Sequence, residues 1–170
     1  MKKLEDLIAT YKDFPKKGIN FKDVLEILQY PDIFQDVILK MSSNPFLKNA
    51  EAIISIDARG FIFGSAVALE SSKPMIVARK PGKLPGQILT REYDLEYGKN
   101  SLSIQSNALK KYHSFVIIDD LLATGGTVNS VYKLVKDQKK EILSLITVIE
   151  LKELKGRLKL DFPVHSMIAI

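Results

Sequence analysis

The sequence has no cysteine and no tryptophan, and only two histidines, His113 and His165. Without cysteine there is no disulfide framework and no thiolate metal site, so any metal must be held through oxygen, and the composition fits a reducing compartment. No stretch stays apolar over the roughly 18 residues that a membrane-crossing helix needs. Lys2 and Lys3 are followed by Glu5 and Asp6 instead of an apolar core, so no signal peptide is expected. Blocks of like charge are also lacking. The 25 Lys and Arg are interleaved with 20 Asp and Glu, and the net charge of +5 reads as a solvated mixed surface, not a nucleic-acid face. No repeat, low-complexity tract or linker appears, and 170 residues suit one domain over 1–170. These absences predict a cytoplasmic globular protein with neither nucleic acid nor membrane as partner.

What is present is organised around Phe115 to Thr127. Phe115, Val116, Ile117 and Ile118 form a run too short for a helix and largely β-branched, which predicts a buried strand. The strand runs into Asp119 and Asp120, then through Leu121, Leu122, Ala123, Thr124, Gly125, Gly126 and Thr127 into Val128, Val131, Leu134 and Val135 at helical spacing. A helix start preceded by glycines presents backbone N–H groups and the positive end of a dipole, which suits a phosphate; Thr124 and Thr127 add hydroxyl donors. Two carboxylates would repel that phosphate, so they fit either sugar hydroxyls or the water shell of a metal. No lysine follows Gly126, so the Walker pattern is excluded.

Three more strands are predicted at Ala52–Asp57, Met75–Ala78 and Leu143–Ile149, with helices at 31–43 and 61–69. Apolar strands separated by helices predict an α/β fold with a mainly parallel twisted sheet flanked by helices. Sites in such sheets gather at the carboxyl ends of strands, and Asp57–Gly60, Arg79–Lys83 and Asp119–Thr127 all fall there. Leu4, Leu7, Ile8 and Tyr11 predict an opening amphipathic helix, and Val24–Leu28 a short one. Alternation around Glu92–Tyr97 and Ser101–Ile104 predicts a hairpin turning at Gly98-Lys99-Asn100, with a polar and aromatic tip that suits a lid. Pro163–Ile170 predicts an edge strand, and neither histidine is assigned a catalytic role.

The acid pair followed by Ala-Thr-Gly-Gly-Thr resembles the motif of the type I phosphoribosyltransferases. Several further segments are similar to the adenine phosphoribosyltransferases within them: Phe14-Pro15 with Phe21-Lys22-Asp23, Asp57 to Gly64, Arg79 to Gly86, Leu95 to Lys99, and Glu150-Leu151 with Leu154 to Arg157. The similarity spans about Phe14 to Arg157, with an N-terminal hood over 1–30 and a basic loop and lid hairpin over 80–112.

The resemblance implies that adenine reacts with 5-phosphoribosyl 1-diphosphate and Mg²⁺ to give AMP and diphosphate. Asp119 and Asp120 would hold the ribose, Ala123, Thr124, Gly125, Gly126 and Thr127 the 5-phosphate, and Arg59, Arg79, Lys80 and Lys83 the diphosphate. Glu96, with Tyr97 beside it, would manage the proton near purine N7, and Arg59 would assist at the reacting centre. Asn20, Phe21 and Lys22 would surround the base. Mg²⁺ would be held by diphosphate, ribose hydroxyls and water, with no direct protein ligand. A homodimer is implied as well. Two departures stand out: Asn20 and Lys22 replace a small apolar residue and an arginine, and Leu25-Glu26 replaces threonine-proline. Each cation also has a plain structural reading, Arg59 as the partner of Asp57 and Arg79–Lys83 as a solvated loop. Alternative functions are transfer to a 6-oxopurine, with Lys152 or Lys155 facing O6, and a non-catalytic sensor of the diphosphate substrate.

Overall fold

A computed structural model describes residues 2–95 and 98–170, with the backbone alone for 93–95 and 98–99. Its centre is a five-stranded, wholly parallel sheet built from β3 (Ala52–Ile56), β4 (Met75–Ala78), β7 (Ser114–Leu122), β8 (Glu141–Glu150) and β9 (Val164–Ala169). Spatial order is β4-β3-β7-β8-β9. Every residue of β3 is buried, as a parallel strand covered on both faces requires, whereas the edge strand β4 alternates.

Alternate residues divide between two cores. Ile54, Ile56 and Ile117 pack with Val128, Val131 and Leu134 of α5 (Gly126–Asp137), together with Leu109 of α4 (Ser106–Lys110). Ile53, Val116 and Ile118 face the other way, onto α1 (Pro31–Ser42), α2 (Pro45–Asn49) and α3 (Gly60–Ser71). From β3 the chain moves out to β4, and β7 then returns to the other side of β3. The strand order therefore reverses between β3 and β7, and the crevice beyond their carboxyl ends is where such sheets bind ligands.

Two smaller sheets flank this frame. β1 (Ala9–Tyr11) pairs with β2 (Phe21–Asp23), and β5 (Ile88–Leu95) pairs with β6 (Gly98–Gln105). The predicted opening helix is corrected: Leu4–Leu7 make one 3₁₀ turn, and Ala9–Tyr11 are strand. Apolar spacing at 4, 7, 8 and 11 is common to both outcomes, and backbone pairing of Thr10 with Lys22 decides it. The hairpin is also corrected in register, because Leu95 pairs with Gly98 and so places Gly98, Lys99 and Asn100 in the strand. Its base is core, with Leu102 and Ile104 buried, and an Arg91–Asp137 ion pair ties it to α5. The predicted strand at Phe115–Ile118 extends through both carboxylates to Leu122, while the edge strand near the end of the chain is as expected. Helices α2 and α4 had no sequence prediction; α2 is capped by Asn44, whose side chain accepts from Phe46 N–H at 2.9 Å.

Candidate active site

The end of β3 carries Asp57, Ala58 and Arg59 into α3. Gly60 opens that helix, and a Cβ there would sit 2.6 Å from Asp119 Oδ1, so only glycine lets the start of α3 lie against the acid pair of β7. The Asp57 carboxylate accepts from Arg79 Nε at 2.9 Å, and the Arg79 guanidinium lies 5.6 Å from the Phe61 ring centroid. Arg59 is therefore not the partner of Asp57. Its Nε stands 2.7 Å from Asp120 Oδ2, and its guanidinium covers the Phe21 ring at 4.8 Å.

Asp119 and Asp120 are both buried. The Asp120 N–H donates to Asp119 Oδ1 at 2.9 Å. Burial first, and the adjacent Asp120 charge second, push the Asp119 carboxyl well above its ordinary range, against a smaller opposing pull from Arg59. A hydroxyl donor or a cation at this carboxylate would relieve that cost.

Beyond β7 the chain turns at Gly125, whose φ of +79° lies in the left-handed region. A Cβ at Gly125 would also meet the Gly156 carbonyl oxygen at 2.7 Å. Gly126, Thr127 and Val128, at the start of α5, line the cleft, so the positive end of the helix dipole faces it.

Asp57, Arg59, Asp119, Asp120, Thr124 and Thr127 help line a cavity of about 370 Å³ that also takes in Ala123, Gly125 and Gly126. A second cavity, of about 460 Å³, lies between Asn20, Phe21 and Lys22 on one side and Leu151, Glu153 and Leu154 on the other. Arg59, Leu121, Ala123 and Thr124 line both, so the two spaces adjoin. Phe21 is braced edge-to-face by Phe14 at 5.2 Å, Asn20 is exposed, and Lys22 Nζ donates to Thr10 Oγ1 at 2.8 Å.

The structure thus brings together the ribose, phosphate and base residues expected from the sequence, with Arg59 at their junction. Arg79 joins them through Asp57, but Lys80 and Lys83 are exposed on the following loop and line neither cavity. Glu96 and Tyr97 lie outside the described residues. Sequence reasoning missed Leu121 and Glu153 as lining residues, for which a lone leucine and a glutamate in a charged connection carry no local signal. Lys152 and Lys155, the donors a 6-oxopurine reading requires, are not among the residues lining the second cavity. His113 and His165 line neither cavity, and the His165 ring packs 5.2 Å from that of Phe46.

Residues 23–170 match the phosphoribosyl transferase domain family. The chain is 85% identical over 170 residues to an adenine phosphoribosyltransferase of Prochlorococcus marinus strain AS9601, covering 100% of each. Among solved structures it is similar to the adenine phosphoribosyltransferase of Thermoanaerobacter pseudethanolicus, with a TM-score of 0.91 and 40% identity over 98% of each chain. It is also similar to the Saccharomyces cerevisiae enzyme complexed with an imino-altritol bisphosphate and adenine, with a TM-score of 0.87, 33% identity, and coverage of 97% of this chain and 96% of that one. With its acid pair, glycine loop and hood in the order and geometry described, the chain belongs to the adenine phosphoribosyltransferases, within the phosphoribosyl transferase family.

Proposed function

We propose that the two adjoining cavities are where this chain transfers the 5-phosphoribosyl group of 5-phosphoribosyl 1-diphosphate to adenine, forming AMP and diphosphate. The observation that supports the reading is the sharing of Arg59, Leu121, Ala123 and Thr124 between the cleft at the acid pair and the hood cavity, so that a sugar in one and a flat base in the other would meet at that shared wall.

In this reading the N–H groups of Gly125, Gly126 and Thr127 and the hydroxyl of Thr124 hold the 5-phosphate, supported by the α5 dipole. Asp119 and Asp120 accept from the ribose hydroxyls. Arg59 turns from Asp120 toward the diphosphate, and Arg79 with Lys80 and Lys83 of the exposed loop after it would add positive charge from outside the cavity lining. Phe21 forms an apolar wall for adenine, flanked by Asn20 and Lys22. As N9 forms its bond to the anomeric carbon, the bond from that carbon to the diphosphate oxygen breaks. Negative charge then grows on the leaving group beside the cations, and the base gives up its imidazole proton. Glu96, with Tyr97, is the proposed acceptor of that proton, on a hairpin that would close over the site.

Magnesium fits this site as an ion that arrives with the substrate. Among the described residues no cluster of three or more His, Cys, Asp or Glu could hold a metal, while the Asp119 and Asp120 oxygens are hard donors suited to its water shell. When bound, it neutralises charge on the diphosphate. A cytoplasmic location is proposed as well; among the described residues no helix is long and apolar enough to cross a membrane. A homodimer is the proposed assembly, supported by apolar surface on α1 and α3, where Leu39 and Leu69 are exposed, and a light-scattering mass twice 19.1 kDa is expected.

The test is to incubate the purified protein with 5-phosphoribosyl 1-diphosphate, Mg²⁺ and either adenine, hypoxanthine or guanine. AMP formation with adenine strongly preferred supports the reading. Binding of the diphosphate substrate without nucleotide formation would overturn it in favour of a sensor.

A further inference from the structure

The segment after β8 comes closer to the phosphate loop than side chains would permit. A Cβ on Gly156 would lie 2.1 Å from the Ala123 carbonyl oxygen and 3.0 Å from the Gly125 nitrogen. Two glycine backbones are in direct contact here, one belonging to the loop read above as the phosphate cradle.

Gly156 is held in place by its neighbour. Arg157 Nε donates to Glu150 Oε1 at 2.9 Å, Nη2 donates to Glu150 Oε2, and Nη1 donates to the Val164 carbonyl at 2.6 Å. Ser166 Oγ donates to the same Glu150 Oε2 at 3.1 Å. Glu150 ends β8 and Ser166 sits in β9, so the fork anchors Gly156 to two strands of the central sheet. Leu151 N–H donates to the Leu122 carbonyl at 2.9 Å, which joins the start of this segment to the end of β7 as well. Arg157 first, and Ser166 next, hold the Glu150 carboxyl ionised below its ordinary range, so the fork is charge-assisted at neutral pH.

We propose that Glu150 and Arg157 are positioning residues for substrate binding, acting through Gly156 to hold the Ala123–Gly125 backbone in the shape that points its N–H groups at the 5-phosphate. The proposal rests on the reading of residues 123–127 as the phosphate loop. Neither side chain touches substrate. The loop lies past the last paired residue of β7, so Gly156 supplies the wall that the sheet no longer provides. A displacement of about 1 Å at such a cradle is enough to cost one to two orders of magnitude in binding or rate.

The test compares the parent enzyme with Arg157→Lys, which keeps the charge but loses the planar fork, with Gly156→Ala, and with Thr124→Val as a direct probe of the loop. Ribose 5-phosphate serves as the binding probe, since it carries the 5-phosphate without base or diphosphate. For Arg157→Lys and Gly156→Ala, the Kd for ribose 5-phosphate and the KM for 5-phosphoribosyl 1-diphosphate are expected to rise about tenfold. The KM for adenine should stay within about twofold in both. A purely structural pair would lower the melting temperature and leave these constants unchanged, because they do not depend on the fraction of enzyme folded. Gly156→Ala presses on the loop directly, so it tests only the contact; the fork is decided by Arg157→Lys, or by Glu150→Gln if that variant is insoluble. If Thr124→Val weakens ribose 5-phosphate binding while the fork variant does not, the positioning role is overturned. If Thr124→Val also leaves it unchanged, the phosphate-loop reading fails and takes the proposal with it.

Discussion

Arg59 Nε lies 2.7 Å from Asp120 Oδ2, joining the end of β3 to the end of β7 across the crevice where the strand order reverses. The Asp120 side chain is 8% exposed and that of Arg59 30%, so the cation reaches from a partly open position onto a buried carboxylate. The same two residues are assigned different parts of one substrate, Asp120 the ribose and Arg59 the diphosphate. In the proposed reading, ligand binding replaces the internal ion pair with hydrogen bonds from the ribose hydroxyls to Asp120 and an ion pair between Arg59 and the diphosphate, at lower cost than leaving a buried acid unpaired.

Arg59→Gln is expected to lower kcat by about a hundredfold or more, since in the proposed reading charge on the departing diphosphate loses a cation that would stabilise it. Affinity for ribose 5-phosphate, which carries no diphosphate, should change far less. Steady-state kinetics alongside a ribose 5-phosphate titration check this, and equal losses in both would place Arg59 on the ribose side instead.

Asp119→Asn should trade activity for stability. Burial and the Asp120 charge raise the folded-state pKa of Asp119 above its ordinary 3.8, so the native protein binds more protons than the unfolded chain between the two values. Stability from this group accordingly falls as pH rises through that window. Asparagine does not titrate, so the variant's advantage in urea midpoint should grow from acid to neutral pH. Its kcat/KM for 5-phosphoribosyl 1-diphosphate should drop by roughly ten- to hundredfold, as for losing a charged hydrogen-bond acceptor.

Phe21→Ala removes one wall of the hood cavity together with its edge contact to Phe14. Losing part of an aromatic surface costs about 1–2 kcal/mol, which predicts a rise in adenine KM of about five- to thirtyfold. The KM for 5-phosphoribosyl 1-diphosphate should move less. Equal shifts in both would show that this cavity does not take the base.

Glu150→Gln should reveal the fork in the acid unfolding profile. Arg157 lowers the folded pKa of Glu150 below its ordinary 4.5, so its stabilising contribution is complete above that value and is lost as pH falls through the folded one. The difference in urea midpoint between parent and variant should be largest near neutrality and close at acid pH. A difference independent of pH would mean the carboxylate is not what Arg157 holds.

Much of the site was legible because it is written in short-range chemistry. A β-branched run marks a buried strand whatever surrounds it, and an acid pair leading through glycines into a helix is contiguous in the chain. Asp119 to Thr127 and the parallel sheet could therefore be read from residue types alone. The opening segment was not legible, since Leu4, Leu7, Ile8 and Tyr11 satisfy a helical period while pairing with Phe21–Asp23 draws Ala9–Tyr11 into a strand. Nor was the pairing of cations. Arg59 lies two residues from Asp57 in the chain yet forms its ion pair with Asp120, and Arg79 takes Asp57, because strand order, not chain order, sets which charges face each other.

Residue types and their local order are enough to say which chemical groups exist and which turns they sit on: carboxylates on a strand end, a glycine cradle at a helix start, cations beyond two other strands. Folding in three dimensions is what presses Gly156 against Gly125, joins Arg157 to Glu150 beside it, and sets the cleft at the acid pair next to the hood cavity. Those outcomes depend on atoms far apart in the chain being packed to within a few ångströms, and side-chain type and spacing do not encode such distances.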